Sequence, residues 1–263
     1  MSISFAVGSE RVRFAGKTDT GRVRSHNEDN LLIPDELPVA VVADGMGGHA
    51  SGEVASQIAV EVIGEFYKRT AEEHARTWPF RIPQVEIERN RMTTAIKLAN
   101  STIFETAAAD KSKKGMGCTV EAIFFTQGRF YIGHVGDSRV YRIRSGAIQQ
   151  LTEDHSLLND WKRMKSMSGD EIRNFPHRNV VVRALGLGEH VAVDVIVDEY
   201  RVDDIYLLCS DGLNDMLEDD EILSHVERGK KRLDGACSAL VDAANAAGGK
   251  DNVSVLLAHV LEA

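Results

Sequence analysis

Two kinds of apolar patterning divide the chain. Arg11–Thr18 (R-V-R-F-A-G-K-T) alternates and predicts a strand. Val39–Ala43 and Ile205–Cys209 are unbroken apolar runs, which predict strands covered on both faces. From Ser51 to Tyr67 the period changes: Val54, Ala55, Ile58, Ala59, Val62, Ile63 and Phe66 recur at i, i+3, i+4, the stripe of an amphipathic helix. A second helix runs from about Glu86 to Ala108, with Met92, Ala95, Ile96, Ala99 and Ile103 on one face. Between the two, Glu72–Pro83 breaks the pattern, and its Trp78, Phe80 and two prolines predict an ordered, packed connection.

Cys118–Thr126, Phe130–Val135, Val140–Arg144 and Ala147–Leu151 are short strands separated by turn signals such as Gln127-Gly128 and Ser145-Gly146, an antiparallel meander. Ser156–Val182 is long, polar and mixed in charge, with a short helical piece near Leu157–Met164; it resembles a flap. Leu157, Leu158 and Trp161 are expected to anchor that helix on the body. Ala192–Val197 and Val253–Val260 read as strands, and Glu221–Val226 and Ala236–Ala246 as helices.

Composition narrows the class. The chain has 263 residues, 43% hydrophobic and 27% charged, with no Ser/Gly/Pro-rich linker, so one domain spanning 1–263 is expected. Asp and Glu number 40 against 31 Lys and Arg, a net charge of −9. That argues against nucleic-acid or anionic-membrane binding. It suits a carboxylate site neutralised by divalent cations. Cys118, Cys209 and Cys237 are odd in number and far apart, so they read as buried small hydrophobes in a reducing compartment. No apolar run approaches the roughly 18 residues of a membrane span. The N-terminus lacks the basic start and apolar core of a signal peptide, so a cytoplasmic location is expected.

The candidate chemistry lies in a repeated design: an aspartate at the end of an apolar strand, beside glycine, serine or asparagine. It occurs at Asp44-Gly45, Gly136-Asp137-Ser138, Ser210-Asp211-Gly212 and, preceding its strand, Asp251-Asn252. One such aspartate is commonly a turn residue or a cap. Several carboxylates gathered together repel one another unless cations neutralise them. Hard oxygen-seeking ions, Mg²⁺ or Mn²⁺, answer that need. None of the nine histidines stands in a close His-x-x-x-His or Cys/His spacing, which argues against that kind of zinc site. Ser138 and Ser210 read as turn residues.

Eight ordered motifs then become recognisable: G-R-V-R-S-H-N-E-D, V-A-D-G-M-G-G-H-A-S-G-E-V-A-S, G-C-T, H-V-G-D-S-R-V-Y, L-T-E-D-H-S, N-V-V-V-R-A-L-G, L-L-C-S-D-G-L and D-N-V-S-V. From about Phe14 to Val260 the chain resembles the protein phosphatase 2C family of metal-dependent serine/threonine phosphatases, in its bacterial branch. The resemblance implies an α+β fold: two antiparallel β-sheets packed as a sandwich, with α-helices on both outer faces and metals in a cleft at one end. Carried over by motif, Asp44 would bridge two Mn²⁺ or Mg²⁺ ions. The carbonyl of Gly45 would bind one of them, and Asp211 and Asp251 the other. Asp137 would join Asp211 at a third, weaker position. Glu28 and Asp29 would hold metal-bound waters, and Arg24 would grip the substrate phosphate. A water bridging two cations would attack phosphorus in line, with no covalent phosphoenzyme.

The implied partners are phosphorylated proteins and an opposing serine/threonine kinase; a monomer is expected, with neither nucleic acid nor membrane. Some bacterial relatives act in type VI secretion, but no residue selects that pathway. Met46 stands where eukaryotic members carry a histidine that is a candidate general acid, so no acid is carried over. His49 nearby reads as a helix-start residue or as one supporting the site from behind, and Cys118 replaces a common threonine. A non-catalytic binding relative would lack a metal aspartate or the arginine, and anti-sigma-type relatives tend to lack the arginine. Arg24, Asp44, Asp211 and Asp251 are all present.

Overall fold

The computed structural model describes residues 2–47, 51–71, 83–164, 171, 175 and 180–263. His49, residues 72–82 of the expected inter-helix connection and most of 165–179 lie outside the described residues. The chain opens with β1 (Ile3–Val7), β2 (Glu10–Asp19), β3 (Asn30–Leu32), β4 (Val39–Ala43) and the short β5 (Gly45–Met46). Two helices follow, α1 (Ser51–Arg69) and α2 (Gln84–Ala109). The middle of the chain is the short β6 (Gly117–Cys118) and the meander β7 (Val120–Thr126), β8 (Arg129–Val135), β9 (Arg139–Arg144) and β10 (Ala147–Gln150). After α3 (Leu157–Met164) come β11 (Asp194–Glu199), β12 (Ile205–Cys209), α4 (Asp211–Asn214), α5 (Asp219–Gly229), α6 (Leu233–Ala246) and β13 (Val253–Glu262).

The strands form a six-stranded sheet in the order β1-β2-β13-β12-β9-β10 and a five-stranded sheet in the order β11-β8-β7-β4-β3, with β5 and β6 as a separate two-stranded ribbon. Every pairing is antiparallel.

The unbroken apolar runs are explained by the layers. Successive side chains of a strand face opposite ways. In β4, Ala40 and Val42 point into the core between the sheets, while Val39, Val41 and Ala43 pack under α1 and α2. In β12, Tyr206 and Leu208 face the inter-sheet core, while Ile205, Leu207 and Cys209 face the layer built by α4, α5 and α6. Each sheet is covered on both faces, which is the sandwich flanked by helices. Aromatic rings fill its centre: Phe125 meets Phe14 at 5.7 Å and Tyr206 at 5.5 Å, edge to face.

Several elements depart from the sequence expectation, among them β5 and α4, which it did not include, and α6, which starts three residues early at Leu233. β1 pairs with β2 in the register Ile3↔Phe14, an edge strand whose five residues are too few for its alternation to stand out. α5 starts at Asp219, two residues early, and the Glu221 carboxylate accepts from the Glu218 amide at its start. Trp161 does not anchor α3 on the body: it is 47% exposed and its ring faces Phe175 of the same segment at 6.0 Å. Leu157 and Leu158 are half-buried, and α3 has no buried residue.

Candidate active site

Antiparallel register brings the four aspartates to one end of the sandwich. Val42 of β4 pairs with Glu121 of β7, and Val120 pairs with Val135 of β8, so the end of β4 and the β8–β9 turn lie together. Cys209 pairs with both Arg139 and Val255, which sets the end of β12 beside that turn and beside the start of β13. Asp44, Asp137, Asp211 and Asp251 therefore line one open cavity of about 410 Å³. Arg24, Glu28 and Gly45 line it too, whereas Asp29 lies behind the wall, 4% exposed.

The turns are held by contacts that the sequence reading did not include. Gly45 donates its N–H to the Glu28 carbonyl at 3.2 Å. A Cβ on Gly45 would fall 2.2 Å from the Gly52 carbonyl oxygen, so only glycine allows this approach. Asn252 is a hub: its Oδ1 accepts from the Glu28 amide at 2.8 Å, and its Nδ2 donates to the carbonyls of Thr20 and His26. Ser210 Oγ donates to Asp29 Oδ2 at 2.8 Å and accepts from the Ser254 amide at 3.0 Å. Thr119 Oγ1 accepts from the Asp44 amide at 3.2 Å. His155 holds the Asp137 turn through Gly136, whose N–H donates to His155 Nδ1 at 3.0 Å and whose carbonyl accepts the His155 N–H at 2.7 Å. That fixes Nδ1 as an acceptor, so Nε2–H donates to Asp194 Oδ2 at 3.1 Å. Asn252, Thr119 and His155 all sat inside motifs, but hydrogen bonds across the fold leave no local signal.

The electrostatics are those of crowded, buried acids. Burial first, and then neighbouring carboxylates, push Asp44 and Asp211 well above the ordinary carboxylate range. Burial pushes Asp29 up to about 6, against the hydrogen bond from Ser210, and likewise raises Asp137 to about 6, with Asp154 adding repulsion. Arg24 donates to Asp251 Oδ2 at 2.6 Å, and this hydrogen bond is the main reason its own pKa is raised. Asp29 Oδ1 and Glu28 Oε1 are buried without a hydrogen-bond partner, although His26 Nε2 lies 3.3 Å from the latter.

An all-oxygen donor set, repelling itself and holding two orphaned oxygens, fits hard divalent cations. Among the described residues no three His, Cys, Asp or Glu side chains already form a closed ligand set. That is compatible with ions such as Mg²⁺ that keep several waters. Among the described residues no helix is long and apolar enough to cross a membrane.

Comparison with known proteins finds relatives over nearly the whole chain. The serine/threonine phosphatase stp of Listeria monocytogenes is 36% identical over 248 residues, 92% of this chain and 93% of that protein. The crystal structure of the serine/threonine phosphatase PstP/Ppp of Mycobacterium tuberculosis superposes with a TM-score of 0.83 at 32% identity, covering 96% of this chain and 99% of that one. The PstP catalytic domain, solved in complex with two manganese ions, superposes with a TM-score of 0.80 at 30% identity, covering 95% of this chain and 98% of that one. The family model described as protein phosphatase 2C matches residues 20–243. The chain belongs to the protein phosphatase 2C family.

Proposed function

We propose that the chain is a metal-dependent phosphatase of phosphoserine and phosphothreonine in proteins. The observation that carries this reading is the convergence of Asp44, Asp137, Asp211, Asp251 and Arg24 on one open cleft in a chain of this family. Asp44, the Gly45 carbonyl, Asp211 and Asp251 would hold two Mn²⁺ or Mg²⁺ ions, and Asp137 with Asp211 a third, weaker one. Bound there, such ions lower the pKa of water and so supply a hydroxide nucleophile at neutral pH.

The chain's own groups do the rest. Arg24 is half-exposed at the cleft and offers planar, paired donors to phosphate oxygens, which share it with Asp251. The orphaned oxygens of Glu28 and Asp29 would accept from metal-bound waters. Met46 has no proton to give a leaving alkoxide, and the open cleft leaves that role to water. The three cysteines are free and buried, as suits a reducing compartment.

Phosphate release from phosphoserine and phosphothreonine peptides, against a phosphotyrosine control, tests the activity. Arg24→Ala is expected to raise KM about ten- to hundredfold, the equivalent of a charged hydrogen bond, with a smaller fall in kcat, because Arg24 binds phosphate oxygens in both ground and transition states. An unchanged KM on a phosphopeptide removes Arg24 from the site.

Segment 156–182 is read as a substrate flap. Its Val181 lines the cleft, and Ser156 bridges to Val181 at its base. Reversing Lys162 and Arg163 to Glu is expected to lower kcat/KM for a phosphoprotein and leave p-nitrophenyl phosphate hydrolysis within about twofold, since only a large substrate reaches exposed α3. Arg163 pairs with Glu153 at 2.9 Å, so the double variant also frees that end of the flap. Equal effects on both substrates would rule out a role in substrate choice.

A further inference from the structure

Thr119 stands between two of the aspartate-bearing turns and uses every part of its side chain there. Its N–H donates to the Asp44 carbonyl at 2.8 Å, and its Oγ1 accepts from the Asp44 N–H at 3.2 Å. The same Oγ1 lies 2.7 Å from Ser138 Oγ, the residue after Asp137. Its β-carbon and methyl fill the space beside Gly136, the residue before Asp137: a Cβ at Gly136 would fall 2.5 Å from Thr119 Cβ and 2.6 Å from Cγ2. Thr119 is 1% exposed and Ser138 fully buried, so water does not compete for this contact. Gly136 has φ +125°, a conformation that leaves the turn little intrinsic preference for its observed shape. The shape is imposed from outside, by Thr119 on one side and His155 on the other.

We propose that Thr119 is a positioning residue that sets the Asp137 turn relative to Asp44 and thereby tunes Mn²⁺ affinity at the Asp137 position. The inference rests on the reading of Asp137 as a ligand of the weaker site. Asp44 is the less dependent end of the tie. It is fixed by β4, and its carbonyl keeps the backbone N–H of residue 119 whatever the side chain. The Asp137 turn loses the hydroxyl partner of Ser138 when the hydroxyl of Thr119 goes. One hydroxyl hydrogen bond between buried groups is worth about five- to tenfold in an equilibrium constant.

Mn²⁺ binding is measured by titration calorimetry on metal-stripped wild type, Thr119→Val, Thr119→Ser, Asp137→Asn and the Thr119→Val/Asp137→Asn double variant. Wild type is expected to show a tight and a weak class of sites, and Asp137→Asn to lose the weak class. Thr119→Val, of equal volume but without the hydroxyl, is expected to weaken the weak class about five- to tenfold and the tight class less than threefold. Thr119→Ser keeps the hydroxyl and is expected to keep the weak class within about twofold of wild type. The double variant should match Asp137→Asn. A general loss of packing would not distinguish the two classes, nor be rescued by the smaller serine. Ser138→Ala removes the other end of the tie and replaces Thr119→Val if that variant does not fold.

If Asp137→Asn loses the weak class while Thr119→Val and Ser138→Ala bind as wild type does, the role of Thr119 is overturned and the Asp137 assignment stands. If Asp137→Asn binds as wild type does, the Asp137 assignment fails and the proposal fails with it.

Discussion

Asp44→Asn is expected to lower kcat on a phosphothreonine peptide by at least ~10³-fold and, at neutral pH, to raise the melting temperature of the metal-free protein. The first effect follows from its place in the site. Asp44 ends β4 with its backbone fixed on both sides, to Thr119, and its carboxylate is turned into the cleft shared with Asp137, Asp211 and Asp251. An asparagine fills the same space but cannot share a negative charge between two cations. Losing the ions that generate the nucleophile costs at least as much as losing one transition-state donor, which is about 10²–10³-fold. The second effect has the opposite sign because the carboxylate is costly without cations. Burial and four neighbouring aspartates push its pKa well above the ordinary range, so the fold resists its ionised form. A neutral amide removes that penalty. Near-normal turnover in Asp44→Asn, checked by initial rates at saturating Mn²⁺, would remove Asp44 from the centre of the site.

The second large effect is a pH-dependent stabilisation by Mn²⁺. A carboxyl group whose folded pKa lies above its unfolded value costs no stability below the unfolded value, near 3.9. Its cost appears as pH rises from there through the folded value, because the unfolded chain releases the proton first. Asp29 and Asp137 titrate near 6 in the fold, and Asp44 and Asp211 are raised further. Buried His155 works against this trend at lower pH. Burial drops it to about 4, so its contribution is lost as pH falls from 6.5 towards 4. Above pH 6.5 that opposition is gone. His134, raised to about 9 by Glu121 against its burial, loses stability as pH rises through that value and so adds to the fall.

The cost of Asp29 and Asp137 is complete near pH 6, so a fall of the metal-free melting temperature from pH 6.5 to pH 8 is expected from Asp44, Asp211 and His134. Mn²⁺ favours the ionised carboxylates and releases protons on binding, so its stabilisation should be greater at pH 8 than at pH 6.5. At a hundredfold excess over Kd the gain is about 2.7 kcal/mol. At about 2–4 °C per kcal/mol for a domain of this order of size, that is roughly 5–10 °C. Thermal unfolding at the two pH values, with and without Mn²⁺, reads both trends. A Mn²⁺-induced shift independent of pH would show that the raised aspartates are not where the ion binds.

Much of this site was legible because its residues sit where period and punctuation change together. An apolar run stopping at Asp-Gly or Ser-Asp-Gly marks a strand end with a carboxylate, and these two places together with Gly136-Asp137-Ser138 and Asp251-Asn252 pointed to cations. Arg24, Glu28 and Asp29 were different: they lie in a polar loop with no periodicity, and only the family resemblance singled them out. The sheets were legible as strands but not as an order, because β2 pairs with β13 and β4 with β7 across long stretches of chain. The contacts made by Thr119, Asn252 and Ser210 were illegible for the same reason. Their hydroxyls and amide act on backbone groups brought near by topology, and nothing in the adjoining sequence marks that. Trp161 shows the converse. Helical spacing predicted an anchoring face on α3, but a helix of two turns found its aromatic neighbour in its own segment.

The most direct measurement is phosphate release from a phosphothreonine peptide by metal-stripped protein in excess EDTA, followed by restoration with excess Mn²⁺. The account predicts no turnover above background in EDTA and full recovery once Mn²⁺ exceeds the chelator. Hydrolysis at an undiminished rate in EDTA would contradict it, because turnover would then not need the cations that the aspartates are read as holding.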